Sequence, residues 1–461
     1  MQRATRSRAI KTVEEAAAYL EGLIDVERQP GLPYERLGLE PIRNLLARLG
    51  DPHVGLPVIH IAGSKGKGST ALFVEAVALA AGERVGTYTS PHLERWTERF
   101  RIGGREVAGE HLATAVARLK PHVDAMRAED RASAPTFFDA TTTAALLLFA
   151  EAGVDRAVLE VGLGGRLDST NIVTPAVTCV TSIELEHTDK LGHDIREIAR
   201  EKAGILKPGV PAVAGQLPAA ARLVLERRAQ AVGTTIAWLG DDFVAEIRGT
   251  GPGGMSLVLR DGPIEFEVEL PVLGSHQAAN AAMALACARR AGIGADGGLS
   301  AVARSGLASA RLPGRVEVLG QAPTLIVDSA HTAVSASALA AVLAKLPRRR
   351  CHLVLSISAG KDTDSILAAL LPGADIVTVT RADPVRSLAP EALGAAVREA
   401  DSDLELRIVP DPQQAVRAAR AELAADDLLC ATGSVYLAGI ARGVLRESPT
   451  GEYGGSSRGG S

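Results

Sequence analysis

The stretch LPVIHIAGSKGKGST, residues 56–70, constrains the fold more than any other part of the sequence. A run of β-forming residues ends at a cluster of glycines and lysines, and an alanine-rich helical pattern follows at once. Such a strand–loop–helix unit suits a bound phosphate, because backbone N–H groups and the helix N-terminus point at the loop. The loop is shorter than G-x-x-x-x-G-K-[ST], and Gly68 follows Lys67. Context therefore predicts a phosphate loop, with a solvated lysine in a glycine-rich turn as the alternative.

Strand-like and helix-like segments alternate through the first half of the chain, which predicts an α/β fold with a parallel sheet covered by helices. The helix within DIREIAREKAGIL is expected to end near Lys207-Pro208-Gly209. Between Phe243 and Leu270, an alternating pattern broken by glycines predicts β-hairpins appended to this sheet. From Arg315, a second alternation predicts a smaller doubly wound, Rossmann-like domain.

A stretch rich in small residues, IGADGGLSAVARSGLASARLPG, is the candidate domain boundary. It divides the chain into a first domain over 1–296, a linker over 297–314 and a second domain over 315–446. The Gly/Ser-rich tail, 447–461, is expected to be disordered.

Composition excludes several classes of function. A net charge of -4 and 3% aromatic residues give no basic, base-stacking surface, so no nucleic-acid partner is expected. The four cysteines lie far apart, which argues against a zinc site or a disulfide scaffold. No signal-like apolar region follows the basic start, and the longest apolar run is too short to span a membrane. We therefore expect a cytoplasmic protein with no membrane partner.

Polar residues near the ends of other predicted strands are the candidate site. Glu160 interrupts an apolar strand, so its carboxylate is expected either to bind metal or to pair with Arg166. His187 follows a further strand, whereas Ser90 by itself indicates only a loop. Because ligands gather beyond the carboxyl ends of parallel strands, Glu160, His187 and Lys67 should converge. Their combination favours an ATP–Mg²⁺ site.

Several motifs occur in order from Tyr19 to Leu445. They are IHIAGSKGKGST, YTSPHLERW, TFFDATTTAAL, LEVGLGGRLDSTN, HTDKLG…IAREKAGILKPG, LGSHQAANA, PGRVEVL and TGSVYLAG. Together they resemble the folylpolyglutamate synthase/dihydrofolate synthase family of the Mur ligase superfamily. The resemblance implies an ATP-binding Mur-ligase-like domain followed by a glutamate-ligase domain, in a monomer that acts on small molecules.

The implied activity is that of an amide ligase. ATP would phosphorylate a substrate carboxylate, and the amino group of L-glutamate would attack the acyl phosphate. The acid would be dihydropteroate, a reduced folate, or both, and we favour both.

The resemblance also implies roles for individual residues. The residues implied to contact ATP are Gly66, Lys67, Gly68, Ser69, Asn280, Arg315 and Asp328. Those implied to contact the pterin substrate are Thr136, Phe137, Phe138, Asp139, Leu167, Asp168 and Ser169, and those near the incoming glutamate are His331 and Ser434. Ser90, Glu160 and His187 are the implied magnesium ligands, and catalysis would rest on Lys67, Glu160, His187 and Lys202. Lys202 matches a lysine that is carbamylated in the family and helps to hold a second Mg²⁺; unmodified, it could pair with Glu201 or Glu197. Closure of the second domain over the first is implied as well.

The sequence departs from the family pattern at several positions. Ser64 and Lys65 replace Thr and Asn in the loop, and the Lys65 side chain is expected to lie in solvent. At positions 139 and 186, Asp139 and Glu186 each stand in place of a carboxylate of different length in the family pattern, so the charge is kept but the reach of the side chain changes. DSAHT stands where DGAHN is common, so Thr332 offers a hydroxyl in place of an amide.

Two other functions stay open on the sequence alone. One is a divergent Mur-type ligase that joins a different amino acid or carboxylated cofactor, which the DSAHT change would favour. A Mur ligase of cell-wall synthesis fits less well, because LGGRLD is present and the loop reads GKGS. The other is a non-catalytic sensor of ATP or folate, which loss of Lys67, Glu160, His187 or Lys202 would favour; all four are present.

Overall fold

The computed structural model describes residues 10–25, 37–131, 134–295 and 298–447. The chain divides into two compact units, the first running to Arg311 and the second from Leu312 onward, with the short segments Gly251–Gly253 and Val272–Gly274 grouped with the second. From residue 448 onward, the tail predicted to be disordered lies outside the described residues. Within the described ranges, no helix is long and apolar enough to cross a membrane.

The first unit contains helices and strands in alternation. Its helices are α1 (Val13–Glu21), α2 (Glu40–Arg48), α3 (Lys67–Ala80), α4 (Gly109–Glu129), α5 (Phe137–Ala152), α6 (Thr188–Leu191), α7 (Ile195–Ala203), α8 (Ala219–Val232), α9 (Ser275–Arg290) and α10 (Leu299–Ser309). Its strands are β1 (Val58–Ala62), β2 (Val85–Tyr88), β3 (Phe100–Ile102), β4 (Arg105–Glu106), β5 (Arg156–Glu160), β6 (Val177–Val180), β7 (Ala212–Ala214), β8 (Ile236–Trp238), β9 (Phe243–Gly251), β10 (Gly254–Asp261) and β11 (Ile264–Leu270). Short 3₁₀ helices lie at Trp96–Arg99 and Ser169–Ile172.

The main sheet has the strand order β4-β3-β2-β5-β1-β6-β7-β8. The six neighbouring strands β2, β5, β1, β6, β7 and β8 are parallel. Strands β3 and β4 are added antiparallel at one edge. Every residue of the central strand β1 is buried, which explains its apolar sequence. Because the strands are parallel, the loops after β1, β2, β5 and β6 leave from one side, here called the carboxyl edge of the main sheet.

The alternating segment Phe243–Leu270 forms three antiparallel strands in the order β11-β10-β9, as predicted. In β11, the buried residues Phe266, Val268 and Leu270 alternate with exposed glutamates. These strands form a sheet of their own rather than extending the main sheet.

One predicted helix end differs from the structure, and the predicted linker contains a helix, although the division between the two units falls within that linker. Helix α7 ends at Ala203, well before Lys207-Pro208-Gly209, and its C-cap Gly204 lies so close to Arg166 that a Cβ would be 2.5 Å from the Arg166 Cα atom. The segment Leu299–Ser309, expected within a linker, forms α10. A Cβ on Gly306 would lie 2.5 Å from the Ala76 carbonyl oxygen of α3, so the small residues allow two helices to pack closely.

The second unit has one six-stranded sheet in the order β12-β13-β17-β14-β15-β16. Its strands are β12 (Glu317–Gln321), β13 (Thr324–Val327), β14 (Cys351–Leu355), β15 (Ile376–Val379), β16 (Glu405–Ile408) and β17 (Leu428–Thr432), and its helices are α11 (Ala333–Leu343), α12 (Thr363–Leu370), α13 (Pro390–Ala400), α14 (Pro412–Ala421) and α15 (Val435–Arg446). All pairs are parallel except β12–β13. The predicted doubly wound pattern is confirmed, and this sheet has a carboxyl edge of its own.

Candidate functional site

The glycine loop, residues 63–68, joins β1 to α3 at the carboxyl edge of the main sheet. Gly63 and Gly66 have φ values of 148° and 84°, which side-chain-bearing residues rarely adopt. A Cβ on Gly66 would also lie 2.4 Å from the Oδ1 atom of Asn280. Asn280, on α9, is buried and accepts a hydrogen bond of 3.5 Å from the Thr70 hydroxyl. The predicted nucleotide residue Asn280 therefore packs directly against the glycine loop.

Lys67 is the first residue of α3, and its side chain folds back over the glycine loop. Its Nζ atom donates to the carbonyl oxygens of Gly63, at 2.8 Å, and Ser64, at 3.3 Å. The loop is braced by the segment after β6, because Ser182 accepts from the Lys65 backbone N–H at 2.8 Å. The ammonium group is thus held at the mouth of the loop, with carbonyl oxygens as its neighbours.

Lys202 lies on α7 with only 2% of its surface exposed, and its Nζ atom forms a 2.9 Å ion pair with Glu186 Oε1. The expectation that unmodified Lys202 pairs with Glu201 or Glu197 is wrong for this structure, because Glu201 pairs with Arg166. Burial lowers the pKa of Lys202 to about 8. Although burial acts in the opposite direction, the charges of Lys202 and Lys67 hold the pKa of Glu186 at about 2.

The second oxygen of Glu186 lies 3.8 Å from the Nζ atom of Lys65. The Lys65 side chain is 30% exposed, so the expectation that it lies in solvent is wrong. The cause is the carboxylate that Glu186 presents to the glycine loop. Glu186 therefore contacts one lysine of the loop and the buried lysine of α7.

The predicted magnesium ligands follow three strands of the same edge. Glu160, 4% exposed at the end of β5, accepts a 2.9 Å hydrogen bond at Oε2 from the backbone N–H of Ser90, which follows the neighbouring β2. His187 precedes α6, in the loop after β6, with a φ of 46°. The alternative partner of Glu160, Arg166, forms its ion pair with Glu201 at 2.9 Å.

Among the described residues, no group of three His, Cys, Asp or Glu side chains could hold a metal ion by itself. Mg²⁺ is usually bound by one or two carboxylates together with phosphates and water, so a single buried carboxylate beside a phosphate loop has the chemistry it needs. The residues present therefore fit a magnesium ion that shares its ligands with a nucleotide.

The TFFD segment begins α5 through a reciprocal capping box. Thr136 accepts from the Asp139 backbone N–H at 3.2 Å, and Asp139 Oδ2 accepts from the Thr136 backbone N–H at 2.8 Å. The other Asp139 oxygen accepts from the hydroxyl of Ser169 at 2.7 Å. Burial raises the pKa of Asp139. Three predicted substrate residues are thus brought together, and their hydrogen bonds fix the start of the helix.

Asp168 is buried and accepts hydrogen bonds from the backbone N–H groups of Leu163, at 2.9 Å, and Thr170, at 3.0 Å. The Thr170 hydroxyl also contacts Asp168 and lies 2.8 Å from Nε2 of the buried His60. Burial raises the pKa of Asp168 to about 6. His60 and Thr170 were not predicted to contact this region, although a histidine inside the apolar strand β1 was a signal that it needs a polar partner.

Aromatic rings surround the start of α5. Phe137 meets Trp96 edge to face at 5.8 Å, and Phe138 lies 5.9 Å from Tyr88, between ring centroids. The guanidinium of the buried Arg99 stacks 4.9 Å from the Trp96 ring. Trp96 and Arg99 were not predicted as site residues, although they lie in or beside the YTSPHLERW motif. Leu167 packs instead against the apolar cluster around α7 and α8.

In the second unit, Asp328 follows β13 and is buried. Its oxygens accept from the backbone N–H groups of Val316 and Ala330, each at 2.8 Å. Burial raises the pKa of Asp328, against the opposing charge of Arg315. The predicted nucleotide residues Arg315 and Asp328 are therefore neighbours.

The predicted amino-acid residues lie on adjacent strands of that sheet. His331 follows β13, with Nδ1 2.9 Å from the Ser329 carbonyl oxygen. Ser434 follows β17 and is the N-cap of α15, where it accepts from Leu437 at 3.1 Å. The departure Thr332 is the N-cap of α11, accepting from the Ser335 backbone N–H. The hydroxyl therefore has a structural use at this position.

Comparison with known proteins agrees with the two-unit architecture. The Mur ligase middle domain model matches residues 61–288, and the model of the Mur ligase glutamate ligase domain matches residues 314–435. Escherichia coli FolC in complex with DHPP and ADP superposes with a TM-score of 0.81 and 32% identity, over 95% of this chain and 99% of that chain.

Two curated relatives are similar over most of this chain. A probable bifunctional folylpolyglutamate synthase/dihydropteroate synthase of Halobacterium salinarum is 39% identical over 432 residues, 93% of this chain but 51% of that protein. The chain thus spans about half the length of this relative. The dihydrofolate synthase/folylpolyglutamate synthase of Mycobacterium tuberculosis is 36% identical over 472 residues, 95% of this chain and 96% of the relative. Similarity at this level across both full lengths shows that the chain belongs to the folylpolyglutamate synthase/dihydrofolate synthase family of Mur ligases.

Proposed function

We propose that this protein is an ATP-dependent ligase that joins L-glutamate to dihydropteroate and to reduced folates. The observation that carries the proposal is the meeting, at one sheet edge, of the glycine loop with Lys67, the buried carboxylate of Glu160, and the buried pair of Lys202 and Glu186. The name of the Mycobacterium tuberculosis relative and the DHPP and ADP bound by the Escherichia coli protein support the substrates.

The reaction would proceed in two steps, phosphorylation of the acid and then attack by the amine. An oxygen of the acid attacks the γ-phosphorus of ATP, which forms an acyl phosphate and releases ADP. The amine nitrogen of glutamate then attacks the acyl carbon, forming the amide, and phosphate leaves while the amine loses a proton. The first step is needed because a carboxylate oxygen is a poor leaving group until it is phosphorylated.

The glycine loop would bind the phosphates of ATP through the N–H groups at the start of α3 and the Lys67 ammonium. Gly66, Gly68 and Ser69 would complete this cradle. Ser90, Glu160 and His187 would hold Mg²⁺, which supplies charge neutralisation at phosphoryl oxygens when it is bound. In the second unit, Arg315 and Asp328 would contact the nucleotide, and His331 and Ser434 the incoming amino acid.

Lys202 is the residue that we propose to be carbamylated. Burial that lowers its pKa to about 8 leaves part of the amine neutral near physiological pH, and only the neutral amine adds to CO₂. The N–C bond forms as one proton is released, and the product is an anion. Such an anion would help to hold a second Mg²⁺. Mass spectrometry of the intact protein with and without bicarbonate tests this modification.

The pterin substrate is proposed to lie near Phe137, Phe138 and Leu167. Thr136, Asp139, Asp168 and Ser169 already exchange hydrogen bonds with one another or with the backbone. We propose that these polar residues shape the substrate region chiefly by fixing its loops. The cytoplasmic location and the monomeric state stay predictions, and light scattering of the purified protein tests the second.

A mass-resolved assay tests the proposed reaction. The protein, ATP, Mg²⁺ and L-glutamate are incubated separately with 7,8-dihydropteroate and with tetrahydrofolate. A gain of one glutamate on both acids, matched by ADP release, supports the bifunctional enzyme, and a gain on one acid selects that activity. No gain on either, with ATP still hydrolysed in the presence of another acid or amino acid, would favour the divergent ligase.

The Glu160→Ala variant separates the ligase from a nucleotide sensor. Loss of a group that stabilises developing charge slows turnover by roughly 100- to 1,000-fold, whereas binding of ADP should persist. A variant with full turnover would refute the magnesium role of Glu160, and a wild-type protein that binds ATP without turnover on any acceptor would favour the sensor.

A further inference from the structure

His60 is a buried histidine in the middle of β1, the strand that leads into the glycine loop. Its Nε2 atom lies 2.8 Å from the hydroxyl oxygen of Thr170, in the 3₁₀ helix Ser169–Ile172, and no described residue forms a hydrogen bond with its Nδ1 atom. Burial lowers the pKa of His60 to about 3, so the ring is neutral and carries a single N–H. The side chain of His60 therefore connects β1 to one other element of the first unit.

The direction of this hydrogen bond follows from the next one. The Thr170 hydroxyl donates to Asp168 Oδ1, and a hydroxyl has only one hydrogen to donate. The Thr170 oxygen is thus the acceptor for His60, which assigns the hydrogen of the neutral ring to Nε2. The result is a chain of two hydrogen bonds that runs from His60 through Thr170 to the carboxylate of Asp168.

Asp168 closes the loop that leaves β5. Its Oδ2 atom accepts from the backbone N–H of Leu163 at 2.9 Å, near the start of the loop, and its Oδ1 atom accepts from that of Thr170 at 3.0 Å, just beyond the end. A Cβ on Gly162 would lie 2.4 Å from the ring of Phe138, so the loop backbone packs directly on that ring. The carboxylate at the end of the chain therefore fixes a loop against an aromatic ring of the proposed substrate region.

A second buried histidine offers a comparison within the same protein. His352, in β14 of the second unit, is 2% exposed, and its Nε2 atom lies 2.8 Å from the hydroxyl oxygen of Thr378 in the neighbouring β15. Among the residues that the structure describes, no hydrogen bond continues from the Thr378 hydroxyl to a carboxylate. The same local pair thus occurs once with a connection to a substrate loop and once without it.

We propose that His60 is a positioning residue of the ligase: through the hydroxyl of Thr170, it holds Asp168 and its loop in the arrangement that receives the pterin-bearing acid. This inference rests on the proposed function, in which Phe138 and Asp168 belong to the region of that acid. In this role, His60 contacts neither substrate. It acts on the binding of the acid and leaves the binding of ATP unchanged, although it lies on the strand that leads into the glycine loop.

The test compares His60→Leu and His60→Gln with wild type, using the acid that wild type converts. Leucine is apolar and donates no hydrogen bond, so the KM for the acid should rise by about 3- to 10-fold, the loss expected from one hydrogen bond, with the KM for ATP unchanged. Glutamine presents a side-chain N–H near the position of Nε2 and should bring the KM for the acid back towards the wild-type value. A fold that is only less stable lowers the fraction of active enzyme, and hence kcat, without changing either KM.

His352→Leu is the matched control. It removes the same donor from the same kind of pair in the second unit, so it should lower thermal stability while both KM values stay at the wild-type level. A double-mutant cycle with Thr170→Val tests the route, because the double variant should raise the KM for the acid no further than Thr170→Val alone. If His60→Leu does not fold, Thr170→Val, which removes the hydroxyl, and Thr170→Ser, which keeps it, make the same comparison.

An unchanged KM for the acid in a folded His60→Leu variant would overturn the inference, and so would an equal rise in the KM for ATP, which would indicate a disturbed glycine loop. Additive effects of His60→Leu and Thr170→Val would show that His60 does not act through Thr170. A His60→Gln variant that binds the acid as weakly as His60→Leu would show that the donor is not what matters. Failure of the proposed function looks different, because wild type itself would then add glutamate to neither folate acceptor before any variant is compared.

Discussion

Replacing Glu186 with glutamine removes the carboxylate that contacts both Lys202 and Lys65, and its effect on stability should depend on pH. Glu186 is the main group that raises the pKa of Lys202, against the burial that lowers it to about 8. Without Glu186, we expect that pKa to fall further and Lys202 to be mostly neutral at pH 7. In the variant, Lys202 thereby loses its proton and is not left as a buried, unpaired charge.

The size of the effect follows from the titration of Lys202. At pH 7, one unit below a pKa of about 8, protonation stabilises the wild-type fold by about 1.4 kcal/mol, and at pH 9 by about 0.1 kcal/mol. The variant lacks this contribution at both pH values, while the unfolded chains titrate alike. Its deficit in unfolding free energy should therefore shrink by about 1.3 kcal/mol between pH 7 and pH 9.

The direction in which stability changes with pH depends on where the unfolded chain binds its protons. The pKa of Lys202 in the fold, about 8, is below its ordinary value of 10.5, so the unfolded chain binds the additional proton between these values. Wild-type stability should accordingly rise with pH through this window. In Glu186→Gln, the rise should begin below pH 8.

Urea unfolding followed by tryptophan fluorescence measures the effect in the right unit, because the two tryptophans, Trp96 and Trp238, both lie in the first unit. Buffers free of CO₂ keep Lys202 unmodified. Glu201→Gln is the matched control: it breaks a pair with the half-exposed Arg166, and its deficit should stay below about 1 kcal/mol at both pH values. A Glu186→Gln deficit that is the same at pH 7 and pH 9 would refute the reasoning.

Substitutions at three further positions test local features. Gly66→Ala places a Cβ against Asn280 at a φ of 84°, so it should cost about 1–2 kcal/mol in backbone strain alone and weaken ADP binding, measured by calorimetry. Thr332→Ala removes the N-cap of α11 and should lower the unfolding free energy by about 1 kcal/mol, measured by urea unfolding followed by far-UV circular dichroism. Asp139→Ala leaves the Thr136 N–H and the Ser169 hydroxyl without their acceptor, and about 1–3 kcal/mol should be lost in the tryptophan-detected transition, whereas Asp139→Asn should lose less.

Local patterns were sufficient to predict much of the fold. The apolar run of β1, the glycines after it and the start of α3 near Ser69 follow from short-range preferences for strand, turn and helix. Parallel order could be predicted as well, because strands separated by helices need crossovers. The same reasoning placed Glu160 at a strand end on the carboxyl edge of the main sheet, whereas its contact with the Ser90 backbone is a finding of the structure.

The partners of the buried polar groups could not be predicted in this way. Lys202 pairs with Glu186, rather than with Glu201 or Glu197 on its own helix, because it faces the carboxyl edge of the main sheet. His60 meets Thr170 through the register of β1 against its neighbours, and Asn280 meets Gly66 only when α9 packs on α3. Each contact joins two separate elements of the fold, and a periodicity within one segment carries no information about it. The presence of helix α10 within the predicted linker has a related origin, because small residues favour flexible linkers and close helix packing equally.

Lys65 and Glu186, two departures from the family pattern that the sequence resembles, contact each other in the structure. An added lysine in the glycine loop would by itself place a second positive charge near Lys67. A longer side chain at position 186 would by itself move the carboxylate to a different position. In the structure, the two changed side chains face each other at 3.8 Å, while the other oxygen of Glu186 keeps Lys202 at 2.9 Å. Coulomb attraction at the first distance offsets repulsion between the lysines, and Lys67 remains hydrogen-bonded across the loop. The pair of departures is thus one change in charge arrangement, and it preserves a cation at the mouth of the glycine loop.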